Sequence, residues 1–266
     1  MKKALLIAIL LLATTGCTQQ VTVGNLNIGI EADTNTEKQY QEEWLEMEKG
    51  INFKEMPIYE KSGQEEYLQD VVTVFKFDPQ YFTFSLKQQT QNPLVISKWQ
   101  EKYKPLFVCN GGYFMENNLP SSLLKINGEQ YGTKLGADSV GELVIDDNGQ
   151  PDILENADNS QYNNLLQSYP LLVRPDGVKS LKDDSGQVAP RSIIAKDAEG
   201  NILFIFTSNY YFSLYNLQDY LADSDLNLKI ALNLDGGPSS GYYLNSETIK
   251  KSESDVVPNV VMVNKK

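Results

Sequence analysis

From Val71 onward the chain keeps one rhythm: short runs in which β-branched and aromatic residues alternate with polar ones, each closed by a turn. Val71–Phe77 and Tyr81–Leu86 flank Asp78-Pro79 and read as two strands around a turn. Ser122–Ile126 runs into Asn127-Gly128 and Gly141–Ile145 into Asn148-Gly149, both strong hairpin signals. Arg191–Lys196 and Ile202–Thr207, joined by Asp197-Ala198-Glu199-Gly200, predict a further hairpin. Val256–Val263 is a closing apolar strand, and Pro258 within it predicts a place near a sheet edge. Helical spacing is rarer. Tyr40, Trp44, Met47 and Ile51 predict a short amphipathic helix, Leu94–Tyr103 a helix stopped before Pro105, and Asn159–Ser168 another. Ser213 predicts the cap of a helix with Leu214, Leu217 and Leu221 on one side. Tyr169–Val173 leads into a turn at Pro175-Asp176-Gly177. The sum is an α+β fold: a single domain over residues 43–266 with a mixed, largely antiparallel sheet core and flanking helices.

Two of these strands end alike. Ile230, Leu232 and Leu234 alternate with Ala231, Asn233 and Asp235, which predicts a half-buried strand that stops at a carboxylate. Gly236 and Gly237 follow, where the backbone can take positive φ and let another molecule approach. Ser239 and Ser240 add hydroxyls, and the amides of such a loop can form a concavity for an anion. Earlier in the chain, the apolar run Leu106–Cys109 ends at Asn110, followed by Gly111, Gly112, Tyr113 and Phe114. A single Asp-Gly-Gly is most simply a turn. Two strands that end in a short polar side chain and paired glycines suggest binding atoms fixed by a rigid scaffold.

The N-terminus reads differently. Lys2 and Lys3 precede an apolar run, Ala4–Ala13, and small residues lead to Cys17. Residues 1–17 thus resemble a bacterial lipoprotein signal peptide, with Cys17 as the lipidated first residue of the mature chain; the other reading is an ordinary secretory signal. Residues 18–42 are polar and predict a flexible tether. The expected location is the bacterial cell envelope, lipid-anchored on the extracytoplasmic side. With Cys17 lipidated, Cys109 has no intramolecular partner, and in its apolar run it reads as a small buried hydrophobe.

Histidine is absent, which removes Ser-His-Asp and Cys-His mechanisms and the usual zinc sites. Acid–base chemistry then falls to Asp, Glu, Tyr or Lys. The formal charge of -12 becomes -14 once the two leader lysines are gone, and no dense basic cluster interrupts it, so no nucleic-acid partner is expected. An anionic substrate would need a locally positive pocket. Arg191, at the entrance of its strand behind Pro190, could pair with a surface carboxylate or grip a phosphate at two points.

Taken in order, the segments resemble the phosphodiester glycosidase family. They are Trp44 with Lys49-Gly50-Ile51, Phe77-Asp78-Pro79, Cys109 to Phe114, Tyr169 to Val173, Ala189-Pro190-Arg191-Ser192, Leu232 to Ser240 and Val257 to Val260. The resemblance runs from about Trp44 to the C-terminus. Three positions depart from it: Pro238 where the family usually has glycine, Phe212 where a glycine commonly precedes the helix, and Asp255 where a basic residue is often found.

The resemblance implies a mixed α+β domain and removal of a sugar from a sugar-1-phosphodiester in an envelope or exopolysaccharide glycan. Its leaving phosphate is already a stable anion and needs little protonation, which a histidine-free site can manage. The remaining task, to stabilise a cation-like sugar and attack it or activate water, suits a carboxylate. In that scheme Asp235 is the catalytic carboxylate, Arg191 holds the departing phosphate, and Glu116 is the candidate second carboxylate. Asn110, Gly111, Gly112, Tyr113, Asn233, Gly236, Gly237, Ser239 and Ser240 would surround the sugar and phosphate, the serines as donors and Tyr113 as a stacking platform or a packing residue. Retention and inversion stay open, as does attack at phosphorus. No cofactor is required; Asp235, Asn233 and Asn110 are oxygen ligands compatible with a divalent cation. The rival expectation is a non-catalytic envelope lipoprotein that binds glycan or a partner.

Overall fold

The computed structural model describes residues 20–23, 26–29, 39–136, 139–175 and 179–266. The leader with Cys17, most of the tether, and the Asp176-Gly177 turn lie outside the described residues. The chain divides into two compact units, Met1–Gln39 and Tyr40–Lys266. In the first, Gln20–Val23 (β1) and Leu26–Gly29 (β2) pair antiparallel, Val23 opposite Leu26.

Among the described residues of the second unit every ladder is antiparallel, and three sheets result. The largest is built from Leu45–Glu48 (β3), Ile51–Ser62 (β4), Glu65–Phe77 (β5), Leu171–Val173 (β13), Arg191–Asp197 (β14), Ile202–Thr207 (β15) and Leu228–Asn233 (β16), in the order β13-β16-β14-β15-β5-β4-β3. The second joins Phe82–Gln88 (β6), Phe107–Asn110 (β7), Tyr242–Leu244 (β17), Lys250–Ser252 (β18) and Asn259–Lys265 (β19), in the order β18-β17-β7-β19-β6. The third joins Leu124–Ile126 (β8), Glu129–Tyr131 (β9), Gly141–Ile145 (β10), Pro151–Glu155 (β11) and Asn164–Ser168 (β12), in the order β11-β10-β12-β8-β9. The α-helices among the described residues are Ile96–Tyr103 (α1) and Leu214–Asp223 (α2). Ser213 caps α2, accepting from the Asn216 amide at 3.2 Å.

Strand geometry places the core. Side chains of a strand alternate between faces. Phe75, Phe77, Ile194, Phe204 and Leu232 therefore point into the cluster shared with the other sheets, while Val72, Val74, Ile193, Leu203 and Ala231 point at Leu217 and Leu221 of α2. The seven-stranded sheet is covered on both faces, which is why its middle strands are near-continuous apolar runs. At its centre, Phe107 and Phe204 have ring centroids 4.7 Å apart and Phe77 lies 5.8 Å from Phe204. Truncating such a ring to alanine costs about 3–5 kcal/mol.

Four expectations change. The helix expected over Tyr40 to Ile51 is strand: Leu45–Glu48 alternates and pairs with β4 around Gly50 at φ 82°. Asn159–Ser168 holds only a 3-10 turn, Asn159–Gln161, before β12, which lies between β10 and β8. A long-range sheet partner on each side outweighs weak helical spacing. β16 is buried on both faces, not half-buried, because α2 covers its second side. β19 lies between β7 and β6, away from any edge, and Pro258 precedes it, so no ladder donor is lost.

Candidate active site

The antiparallel pairing of β14 with β16 sets Ile193 opposite Asn233, so the start of one strand lies beside the end of the other. Arg191, which opens β14, thereby lies across the strand ends from Asp235, which follows β16. Leu234 N donates to Ser192 O at 2.8 Å and Gly237 N to Pro190 O at 2.8 Å, closing the two strand ends together. The chain then leaves this sheet for the next, where Tyr242 pairs with Cys109 on β7. The loop from Asp235 to Gly241 thus bridges two sheets, and Asn110 ends β7 at the seam.

Asn110 is fully buried and ties that seam. Its Nδ2 donates to the Asp235 carbonyl at 2.7 Å, and its Oδ1 accepts from Ser192 Oγ at 2.8 Å and from Gly241 N at 3.2 Å. Asp235 N donates to Gly111 O at 3.1 Å. A Cβ on Gly111 would fall 2.1 Å from Asn259 Oδ1, so glycine is required there by close approach. Asn259 in turn grips Gly112 at both ends of its residue, accepting from its N–H at 2.8 Å and donating to its carbonyl at 3.1 Å.

The Asp235 carboxylate is partly exposed, accepting from Gly236 N at 2.9 Å and from the Ser239 hydroxyl. Burial pushes this carboxyl up from the ordinary carboxylate range, against the opposing pull of those two donors. Gly237 takes φ 61°, turning the loop away from the strand. Arg191 is only 9% exposed. Its Nη2 donates to the Gln187 carbonyl at 2.7 Å, its buried Nε has no partner, and among the described residues it forms no ion pair. Desolvation lowers its affinity for the proton, as expected of a guanidinium without a counter-ion. A Cβ on Gly236 would lie 3.8 Å from Arg191 Nη1, which places the guanidinium against the glycine loop. A largely buried guanidinium that forms no ion pair among the described residues is suited to an anion.

The Tyr113 phenol feels both charges. Burial and the Asp235 carboxylate raise it to about 12, with Arg191 pulling the other way, so it stays protonated at neutral pH. It accepts from Asn233 Nδ2 at 2.6 Å, and its ring lies 5.0 Å from that of Tyr169. Asn233 is fully buried; its Nδ2 also donates to the Tyr169 and Leu234 carbonyls, at 3.1 and 2.8 Å, and its Oδ1 has no partner among the described residues.

Arg191, Asn110, Gly111, Gly112, Tyr113, Asn233, Asp235, Gly236, Gly237, Ser239 and Ser240 are therefore brought to one place. Glu116 is not: it is exposed on the turn between Phe114 and Pro120, and among the described residues no hydrogen bond or ion pair links it to the group. No group of three or more His, Cys, Asp or Glu gathers among the described residues. The inward amides of Asn110 and Asn233 leave the Asp235 carboxylate as the charged oxygen facing outward. Ser192 and Asn259 carry much of the architecture, yet neither stood out as a site residue in the sequence. Their only signal was a place inside ordered segments, Ala189 to Ser192 and Val257 to Val260.

Residues 103–264 match the family model of the phosphodiester glycosidases. The chain belongs to that family. Among solved structures, the phosphodiester glycosidase fold is matched by the zebrafish N-acetylglucosamine-1-phosphodiester alpha-N-acetylglucosaminidase catalytic domain, described as auto-inhibited by its pro-peptide. That match has a TM-score of 0.63 and 14% identity, covering 86% of this chain and 87% of that one. A hypothetical protein from Synechocystis is also similar, with a TM-score of 0.58, 15% identity, and coverage of 84% of this chain and 64% of that one. At these identities the likeness is one of fold. No curated protein matches the chain. The family match spans β7, β14, β16 and β19, and so includes every residue gathered at the seam.

Proposed function

We propose that the protein is a hydrolase that cleaves the bond between a sugar's anomeric carbon and the phosphate oxygen of a sugar-1-phosphodiester. The observation that carries this reading is Arg191, largely buried, without an ion-pair partner among the described residues and set against the glycine loop that follows a carboxylate whose proton affinity burial has raised. In the reaction, Arg191 holds the outgoing phosphate, whose charge develops as the C–O bond breaks. Asp235 stabilises the cation-like sugar and directs attack at the anomeric carbon, by itself or through water. Water's hydroxyl ends on the sugar, and the phosphate leaves as a monoester of whatever it still carries. Tyr113 keeps its proton and can donate to either fragment. The reading requires no cofactor, and a divalent cation would find Asp235 its only charged ligand among Asp235, Asn233 and Asn110.

The substrate class follows the name of the zebrafish enzyme with the similar fold, which acts on an N-acetylglucosamine-1-phosphodiester. The location follows the leader: lipid on Cys17 would hold the domain on the extracytoplasmic face of the envelope, and Cys17→Ala should release it from the membrane fraction.

Incubation with a panel of sugar-1-phosphate diesters tests the activity. Wild type should release a phosphate monoester, and Asp235→Asn should not. If wild type and variant are equally inert while both bind glycan, the protein is a binding module and the hydrolase reading fails.

A further inference from the structure

Asn110, Asn233 and Asn259 are all buried at the seam, and Asn233 stands apart from the other two. Asn110 and Asn259 use both ends of the amide, each accepting through Oδ1 and donating through Nδ2. Asn233 has no partner for Oδ1 among the described residues, while its Nδ2 faces three acceptors. A buried amide oxygen left unpaired is a cost, and such a cost calls for a reason.

The three acceptors supply one. Two are backbone carbonyls, Leu234 O at 2.8 Å and Tyr169 O at 3.1 Å, which cannot donate. They fix which end of the amide carries the protons. The third, the Tyr113 hydroxyl at 2.6 Å, is therefore held as an acceptor, because an amide nitrogen offers it no lone pair. The phenol keeps one proton of its own, and among the described residues it donates that proton to nothing.

The surroundings say what that proton would meet. Asn233 stands opposite Ile193, and Arg191 lies two residues before Ile193 on the same strand, so Asn233 and Arg191 share one face of the pair. Asp235 follows two residues after Asn233. The Asp235 carboxylate and the Arg191 guanidinium both act on the phenol, which is hydrogen-bonded to neither. Tyr169 lies against the Tyr113 ring, with centroids 5.0 Å apart, which leaves a sugar at most one face to stack on. With the guanidinium on the phosphate and the carboxylate facing the anomeric carbon, the atom common to both fragments is the oxygen that bridges them.

We propose that the Tyr113 hydroxyl donates a hydrogen bond to the oxygen bridging the anomeric carbon and phosphorus, and that Asn233 is the positioning residue that turns the phenol's proton toward it. The proposal rests on the hydrolase reading above. As the C–O bond breaks, its electron pair stays on that oxygen, which becomes part of the phosphate monoester. The proton remains on Tyr113, because burial and the Asp235 carboxylate hold the phenol at about 12, far above the second pKa of a phosphate monoester, about 6. Tyr113 thus stabilises the developing charge as an oxyanion donor does, without transferring a proton.

Two ethyl diesters of one sugar-1-phosphate test the assignment, one with the bridging oxygen and one with sulfur, a weak acceptor, in its place. Tyr113→Phe should lower kcat about a hundredfold on the oxygen ester and by less than about tenfold on the sulfur ester. Asn233→Asp replaces the donor by an acceptor that captures the Tyr113 proton. It should show the same contrast between oxygen and sulfur, and adding Tyr113→Phe to it should cost no more than about twofold further. Equal losses on the two esters, or no loss on oxygen, would overturn the donor role. Losses that multiply in the double variant would overturn the part given to Asn233.

Binding of ethyl phosphate, the monoester released from the oxygen ester, separates this proposal from the hydrolase reading because it needs no turnover. Its Kd should rise about tenfold in Tyr113→Phe, the loss expected of one hydrogen bond to a charged group. A wild type that cleaves neither ester but binds ethyl phosphate in this Tyr113-dependent way keeps the donor and loses the hydrolase. A wild type that cleaves the oxygen ester but binds ethyl phosphate equally well without the Tyr113 hydroxyl, or not at all, keeps the hydrolase and loses the donor.

Discussion

Two strand ends with nearly the same lettering have come to stand in different surroundings. At the end of β7, Asn110-Gly111-Gly112 is a latch. The asparagine is fully buried and its amide bonds to Asp235, Ser192 and Gly241, while Gly111 is required by the approach of Asn259. Beyond β16, Asp235-Gly236-Gly237 is the end for which we propose the chemistry. Its carboxylate is partly exposed and raised by burial, and Gly237 takes φ 61° with nothing within 4 Å of where a Cβ would lie. The same pattern of a polar side chain followed by glycines can thus serve closeness in one place and reach in the other. Which of the two occurs is decided by the neighbouring strand, not by the motif.

The largest effect expected from breaking this contrast is at Asp235. Asp235→Asn should lower kcat about a thousandfold or more, as loss of a catalytic carboxylate does, while the protein stays folded. The latch residue should behave oppositely: Asn110→Ala leaves the Ser192 hydroxyl and the Asp235 carbonyl without their partner, and should cost about 2–3 kcal/mol of stability in denaturant titration. Arg191→Lys keeps the charge but loses the fork, and should reduce kcat/KM about a hundredfold.

The glycines separate more finely. Gly111→Ala must displace Asn259 and should cost about 1–3 kcal/mol, whereas Gly237→Ala has room and should cost about 1–2 kcal/mol from backbone strain alone. Relief of the Gly111→Ala loss by Asn259→Ser, with no such relief for Gly237→Ala, would be the mark of the two roles.

The smallest effect is a pH signature. Burial raises the Asp235 carboxyl in the folded state, so the folded protein binds that proton more tightly than the unfolded chain. The contribution is favourable below the unfolded carboxylate range, near pH 4, and is lost as pH rises through the folded value. At pH 7 the ionised group is a cost. Asp235→Asn should therefore raise Tm at pH 7, and the gain should fade toward pH 4. An unchanged Tm difference across that range would contradict the burial account.

Much of this was legible in the chain. Turn chemistry placed the hairpins at Asn127-Gly128 and at Asp197 to Gly200, and Ser213 announced α2, because each is a local choice. The strand ends at Asn110 and Asp235 also showed themselves, since paired glycines after an apolar run are rare punctuation. What local pattern could not show was partnership. Asn159–Ser168 holds a strand because β10 and β8 flank it, and Pro258 is harmless because the ladder begins after it. Ser192 and Asn259 were invisible as site residues, because a hydroxyl or amide that ties two distant segments carries no periodicity of its own. Glu116 is the reverse case: it lies near Asn110 in sequence, yet on the exposed turn between Phe114 and Pro120.

The central claim is that Asp235 directs attack at carbon while Arg191 takes the phosphate away. Hydrolysis of a sugar-1-phosphodiester in water enriched in heavy oxygen tests it most directly, by mass spectrometry of the released phosphate monoester. The account predicts that the monoester carries only light oxygen, because the C–O bond is the one that breaks. Heavy oxygen in the phosphate would contradict it.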